Sequence, residues 1–421
     1  MRSSGILLHI SSLNNEYGIG TLGKEAYEFV NFLRDSKQKY WQVLPIGPTS
    51  YGDSPYQSFS AFAGNHYFID LEQLKNEGLL DEQECEECKV DRPYVNYGEL
   101  YNTKTKVLRL AFSRFDCNDV QFKEFISNNK WVLDYALFMS IKNSQPEGSW
   151  SGWADEYRRR DPQAIKDFKR KNKDDINFWI FTQYYFFKQW FYLKNYANSL
   201  GIKIIGDAPI YVAYDSCDVW SNPQGWQLDE NLNPTVVAGC PPDYFSATGQ
   251  LWGNPIYDYE YQKANGYSWW IKRIKHSLEI YDVIRIDHFR GFEAYYSIPA
   301  THTTAEHGQW VEGPGMSLFK KINQKLGKVN IIAEDLGLIT DGVRKLLAET
   351  KYRGMKVLQF GFDPYGDSTY AIHNVVNNCI CYTGTHDNPT TKAWFNSLRE
   401  DEKNYIRGYL DLHDDNQISD K

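Results

Sequence analysis

Three carboxylates stand at the ends of three apolar runs: Asp287 in VIRIDHFRGF, Glu334 in VNIIAEDLG and Asp387 in CICYTGTHDN. A lone Asp of this kind is ordinarily a surface or helix-capping group. Three of them, each closing an apolar run and each with polar neighbours, point to a shared site. Paired carboxylates suit glycoside chemistry, in which one attacks the anomeric carbon and the other protonates the departing oxygen. The run at 283–292 is unusual for a buried strand. Val283, Ile284 and Ile286 favour a pleated, packed backbone, yet Arg285, Asp287, His288 and Arg290 are polar or charged. Buried charges are costly unless paired and hydrogen-bonded.

Side chains alternate along a strand, so Arg285 and Asp287 are expected to point the same way. A guanidinium there depresses the Asp287 pKa and keeps the carboxylate ionised, as a nucleophile requires. Glu334 needs the opposite treatment, a partly desolvated, like-charged setting that retains its proton near neutral pH. His288 and His386 adjoin two of the acids and suit hydrogen bonding to sugar hydroxyls, although a histidine is more often a satisfied structural residue. Asp207, at the end of IKIIGDAPI, fits the same rim. HDN could also serve a metal, but no HxH or HExxH spacing accompanies it, and no metal is expected.

The elements that must position these groups are short apolar runs, several ending in Gly, Pro or Asp. They are GILLHIS (5–11), YWQVLPIGP (40–48), IKIIGDAPI (202–210), DVIRIDHF (282–289), VNIIAEDLG (329–337), MKVLQFGF (355–362) and CICYTGTHDN (379–388). Helical patterns lie between them at 24–37, 178–201 (closing on Gly201), 267–282 and 341–351. Strand–helix alternation implies parallel strands with helical crossovers. Polar clusters at nearly every C-terminal strand end favour an α/β (β/α)8 TIM barrel over an open sheet. Two connections are long. Residues 49–177 read as a mainly helical inserted subdomain, and 211–266, rich in Gly, Pro, Trp and Tyr, as an active-site loop region with partial order.

The chain has 421 residues, 42% hydrophobic and 24% charged, the balance of a globular protein. A formal net charge of −8 without a basic stripe argues against nucleic acid. Thirteen Trp, 31 Tyr and 23 Phe supply flat rings with polar tips, which suit a wet, concave site. Seven cysteines without framework spacing suggest a reducing compartment. The single CxxC, Cys85 and Cys88, reads as two semi-exposed thiols on a helix surface. No apolar run reaches signal-peptide or membrane-span length, so a cytoplasmic protein is expected.

In their order and wording, RIDHFRGF, AEDLG and GTHDN resemble the amylomaltases, the 4-α-glucanotransferases of glycoside hydrolase family 77. So do YWQVLPIGPTSYGDSPYQSFSAFAGN, GDAPIYVAYDS and GQLWGNPIYD, and the resemblance runs from about residue 5 to about residue 395. It implies a barrel with inserted subdomains, retention at the anomeric carbon and no required cofactor. On this resemblance Asp287 is the nucleophile, Glu334 the general acid/base and Asp387 the transition-state stabiliser. Arg285, His288, Asp207 and His386 match positions that grip the sugar, and Ser54, Tyr56, Gln250 and Trp252 match contacts from two overhanging loops. The implied partners are a maltooligosaccharide or α-1,4-glucan donor and a glucose or maltooligosaccharide acceptor. Family members continue past the THDN strand. Here the chain after Asn388 reads as helical, so the expectation is seven barrel strands, a gap between GILLHIS and CICYTGT where the eighth is missing, and a poorly soluble, weakly active chain. Three functions compete: segment transfer between glucans, hydrolysis by the same residues, and non-catalytic glucan binding. The aromatic loops, which could shield a glycosyl-enzyme from water, favour transfer.

Overall fold

Each apolar run becomes a short strand, and the strands follow one another in the order and direction that helical crossovers dictate. The computed structural model describes every residue except 1, 51, 91, 243–245, 338, 420 and 421. Its strands are β1 (Gly5–Leu7), β2 (Tyr40–Gln42), β3 (Lys203–Ala208), β4 (Val236–Cys240), β5 (Gln250–Pro255), β6 (Val283–Ile286), β7 (Ala294–Pro299), β8 (Gln309–Glu312), β9 (Ile331–Ala333), β10 (Gly354–Val357) and β11 (Cys379–Tyr382). β1, β2, β3, β6 and β9 pair in parallel in that order. A parallel bridge from Ile332 to Arg353 leads on to β10, which pairs in parallel with β11. These are the seven strands expected from the sequence, in the arrangement of a (β/α) barrel. Among the described residues no strand pairs β11 with β1, and only helices follow β11.

The period-2 alternation of the strands decides what fills the barrel. Ile205, Val283, Ile332 and Met355 form an apolar layer inside it, with Tyr40, Leu336, Ile380 and Tyr382 packed against them. The Tyr382 hydroxyl donates to Gln42 Oε1 at 2.6 Å, joining β11 to β2 across the interior. Two residues further along β3, β6 and β9 the inward positions are Asp207, Arg285 and Glu334. The same alternation that builds the apolar layer therefore delivers charge to the rim.

The crossover helices lie where the patterning puts them, at Lys24–Asp35, Lys173–Ser199, Ser268–Ile280 and Asp341–Thr350. Gly201 takes φ +77° directly after the second, a left-handed stop that any side chain would strain. That helix is aromatic along most of its length. It packs on Lys24–Asp35 and on the inserted helix Trp131–Ser144, and Trp190 Nε1 donates to Ile280 O at 2.9 Å.

Two sequence readings need correction. Cys85 and Cys88 are buried rather than semi-exposed, with 0% and 5% of their surface accessible. Their i, i+3 spacing turns both inward while Glu82, Glu86 and Glu87 face solvent. The sequence reading also contains no strand between 292 and 329, whereas β7 and β8 lie there. With β4 and β5 they form an antiparallel sheet in the order β5-β4-β7-β8, beside the barrel mouth. None of the described helices is long and apolar enough to cross a membrane.

Candidate active site

The site assembles from strand ends. Asp207 and Arg285 are direct register partners across β3 and β6, and Arg285 is in turn the partner of Ile332 on β9, two residues before Glu334. Arg285 is 3% exposed. Its Nη1 donates to both Asp207 oxygens, at 2.8 and 2.7 Å, and its Nη2 lies 3.0 Å from Asp287 Oδ1. Nε reaches Met355 Sδ at 3.4 Å. One guanidinium thus bridges two carboxylates, a fork geometry that lysine cannot supply.

Glu334 is held by backbone. His288 N–H donates to Oε2 at 2.7 Å and Leu336 N–H to Oε1 at 2.7 Å. The first donor exists because His288 sits at φ 51°, ψ 50°. This left-handed turn after Asp287 ties the segment carrying one acid to the side chain of the other. A non-glycine residue there is a sparsely populated conformation of the kind found at functional sites. The His288 ring stands edge-on to Trp252, centroids 4.9 Å apart, and its buried Nε2 has no hydrogen-bond partner among the described residues. Burial lowers its pKa to about 4, so the ring is neutral.

The electrostatics depart from the sequence expectation at Asp287. Arg285 does pull its pKa down, but burial outweighs it, and Asp207, Glu334 and Asp387 push the same way, leaving the carboxyl near pH 7. Arg285 is also shared, since Asp207 already takes two of its hydrogen bonds. Glu334 is also raised, by burial first, against the pull of Arg285 and its two backbone donors, with Asp335 adding to the rise. Both carboxyls therefore hold their protons more tightly than a free carboxylic acid does, and the Glu334 charge is one of the causes at Asp287.

The second half of the site comes from the loop after β2. Tyr56 donates its hydroxyl to Asp207 Oδ2 at 2.7 Å and meets His386 Nε2 at 2.9 Å. The phenol has one proton, so with that proton on Asp207 the His386 Nε2–H is the donor of the second bond. The two rings stack, 5.3 Å apart and 10° from parallel. His386 Nε2 is also 3.4 Å from Asp387 Oδ1, whose side chain is 75% exposed at the mouth. Ser54 Oγ accepts from Tyr56 N–H at 3.2 Å, a local turn that fixes the tyrosine. Gln250, exposed on β5, accepts from Trp252 Nε1 at 3.0 Å.

The sequence-selected residues therefore form two groups. Ser54, Tyr56, Asp207, Arg285, Asp287, His386 and Asp387 are one chain of contacts, and Glu334, His288, Trp252 and Gln250 are a second, joined to the first through the Asp287–His288 peptide. Sequence reasoning missed His9 and Tyr211. His9, at the end of the first run, is buried beside the charge field of His386, its Nδ1 has no partner among the described residues, and burial drops its pKa to about 3. Its position after an apolar run was the available signal. Tyr211 is buried with its ring 6.2 Å from Trp252 and had no such signal.

A family model described as 4-alpha-glucanotransferase, glycoside hydrolase family 77, matches residues 8–421. A 4-alpha-glucanotransferase of Clostridium butyricum is 51% identical over 404 residues, covering 94% of this chain and 83% of that protein. One from Streptococcus pneumoniae is 48% identical over 415 residues, 97% of this chain and 82% of that one. The solved amylomaltase of Streptococcus agalactiae, in complex with acarbose, superposes with a TM-score of 0.95 at 43% identity, over 98% of this chain and 85% of that chain.

Proposed function

Because the chain belongs to the 4-alpha-glucanotransferases of glycoside hydrolase family 77, we propose that Asp287, Glu334 and Asp387 perform the transfer, by double displacement with retention. Asp287 attacks the anomeric carbon of an α-1,4-glucan while Glu334 protonates the departing glycosidic oxygen. In the second half the roles reverse: an acceptor hydroxyl gives its proton to Glu334 and attacks the glycosyl-enzyme. The donor is a maltooligosaccharide or longer α-1,4-glucan, and the acceptor is glucose or a maltooligosaccharide.

The observation that carries this reading is the connection between the two acids. Arg285 engages Oδ1 of Asp287, while Oδ2 takes no hydrogen bond among the described residues and is the oxygen available for attack. The residue after Asp287 then donates its backbone N–H to Glu334. Asp387 contributes negative charge at the mouth, where an oxocarbenium-like transition state develops positive charge. The unpartnered Nε2 of His288 and the His386–Tyr56 pair supply polar groups for sugar hydroxyls. Ser54, Gln250 and Trp252 belong to the two segments that overhang them. We read residues 49–177 as a helical subdomain, 211–266 as the loop region over the site, and the setting as cytoplasmic.

Thin-layer chromatography of a maltotriose digest tests the reading. A ladder of shorter and longer sugars is expected. Accumulation of glucose and maltose alone would make the chain a hydrolase using the same residues, and unchanged maltotriose would leave only glucan binding.

A further inference from the structure

Two segments overhang the barrel mouth, and one reciprocal side-chain pair joins them. Gln57 Nε2 donates to Asn254 Oδ1 at 3.2 Å, and Asn254 Nδ2 donates to Gln57 Oε1 at 3.4 Å. Nδ2 of Asn254 also donates to Val212 O at 2.9 Å. That carbonyl can only accept, so it fixes which way the amide faces. Asn254 is 5% exposed, and a buried amide satisfied by three bonds is held in place.

What the pair joins is informative. Gln57 follows Tyr56, which rests on Asp207 and His386. Asn254 lies two residues after Trp252, which rests on His288. β5 is irregular at this point: partners along β4 advance from Val237 to Gly239 while those on β5 run from Pro255 back to Leu251. The extra residues, with Gly253 at φ +76°, form a bulge that aims Trp252 and Asn254 away from the plain ladder. No sugar-facing role is needed to explain Gln57 or Asn254. Their side-chain groups are spent on each other and on the Val212 carbonyl.

We propose that the Gln57–Asn254 pair is a clasp that sets the spacing of the Tyr56 and Trp252 segments, and so determines whether the glycosyl-enzyme passes its sugar to a second sugar or to water. Gln57 and Asn254 are positioning residues in this sense. The inference rests on the transferase reading above. In either fate the acceptor oxygen forms a bond to the anomeric carbon. The ester bond to Asp287 breaks with its electron pair returning to the carboxylate, and the acceptor proton goes to Glu334. The atoms balance identically for a sugar hydroxyl and for water, so selection comes only from what the walls admit and orient. Closed walls favour a bound sugar. A loosened clasp admits water.

The test compares the parent chain with Gln57→Ala, which removes the clasp, and Gln57→Glu, which still accepts from Asn254 Nδ2. Transfer between maltotrioses conserves the number of reducing ends, whereas hydrolysis adds one per event, so both rates are read from one digest. Gln57→Ala should raise hydrolysis relative to transfer by about threefold or more, with Gln57→Glu between it and the parent. A ratio within about twofold of the parent in both variants, or a proportional fall of both reactions in both variants, overturns the clasp, because lost packing slows both fates alike. A parent chain that leaves maltotriose unchanged overturns the transferase reading and the clasp with it.

Discussion

Arg285 serves two carboxylates with one charge, and its pull on Asp287 is outweighed by burial. Asp287, raised from 3.8 to about 7, must ionise before it can act as the proposed nucleophile. The rising limb of kcat/KM against pH is therefore expected near pH 7, as a property of the Asp287–Glu334 pair, and a limb near pH 4 would contradict the geometry. The same shift acts on stability. The folded state holds this proton more tightly than the unfolded chain, so stability is lost as pH rises from the unfolded value through about 7. Asp287→Asn removes that cost, since Arg285 retains Asp207. Its melting temperature should exceed the parent's by on the order of a few degrees at about pH 8, with the gain vanishing near pH 4. Calorimetry across that range checks it. The acids themselves were legible because each interrupts an apolar run. The raised pKa of Asp287 was not, because it comes first from burial in the folded barrel, and Asp207 claims Arg285 only once β3 and β6 pair.

At the scale of elements, strands were legible wherever an apolar run ended in Gly, Pro or Asp, as in IKIIGDAPI. β7 and β8 were not, since QWVE is mostly exposed and gains its order only by pairing with β7. The Gln57–Asn254 contact spans 197 residues and leaves no local trace. Close approach explains Gly206, the residue before Asp207 on β3. A Cβ there would lie 2.2 Å from the Tyr281 ring, which is buried at the end of the Ser268–Ile280 helix. Gly206→Ala should therefore cost roughly 1–3 kcal/mol, by overpacking. A urea midpoint equal to the parent's would show that the ring moves aside freely.

For the whole molecule, the parallel sheet runs from β1 to β11 without a pairing between those two among the described residues. Amides on the outward edge of β11 and β1 lack a ladder partner, and edge groups of this kind exchange readily. Hydrogen exchange on this chain should find about half of the β11 amides fast while those of β3 and β6 stay protected. Uniform protection across β11 would mean that another segment covers the edge. The three acids follow the C-terminal ends of β6, β9 and β11.

The central claim is that Asp287 forms the covalent glycosyl-enzyme with Glu334 as its acid/base partner. The most direct measurement uses Glu334→Gln with an α-glycosyl fluoride, followed by mass spectrometry of the digested protein. Fluoride leaves without acid help, and the amide cannot activate an acceptor, so the intermediate accumulates. A glycosyl adduct on the peptide containing Asp287, absent in the Glu334→Gln/Asp287→Asn double variant, is the predicted result. An adduct on any other residue would contradict the account.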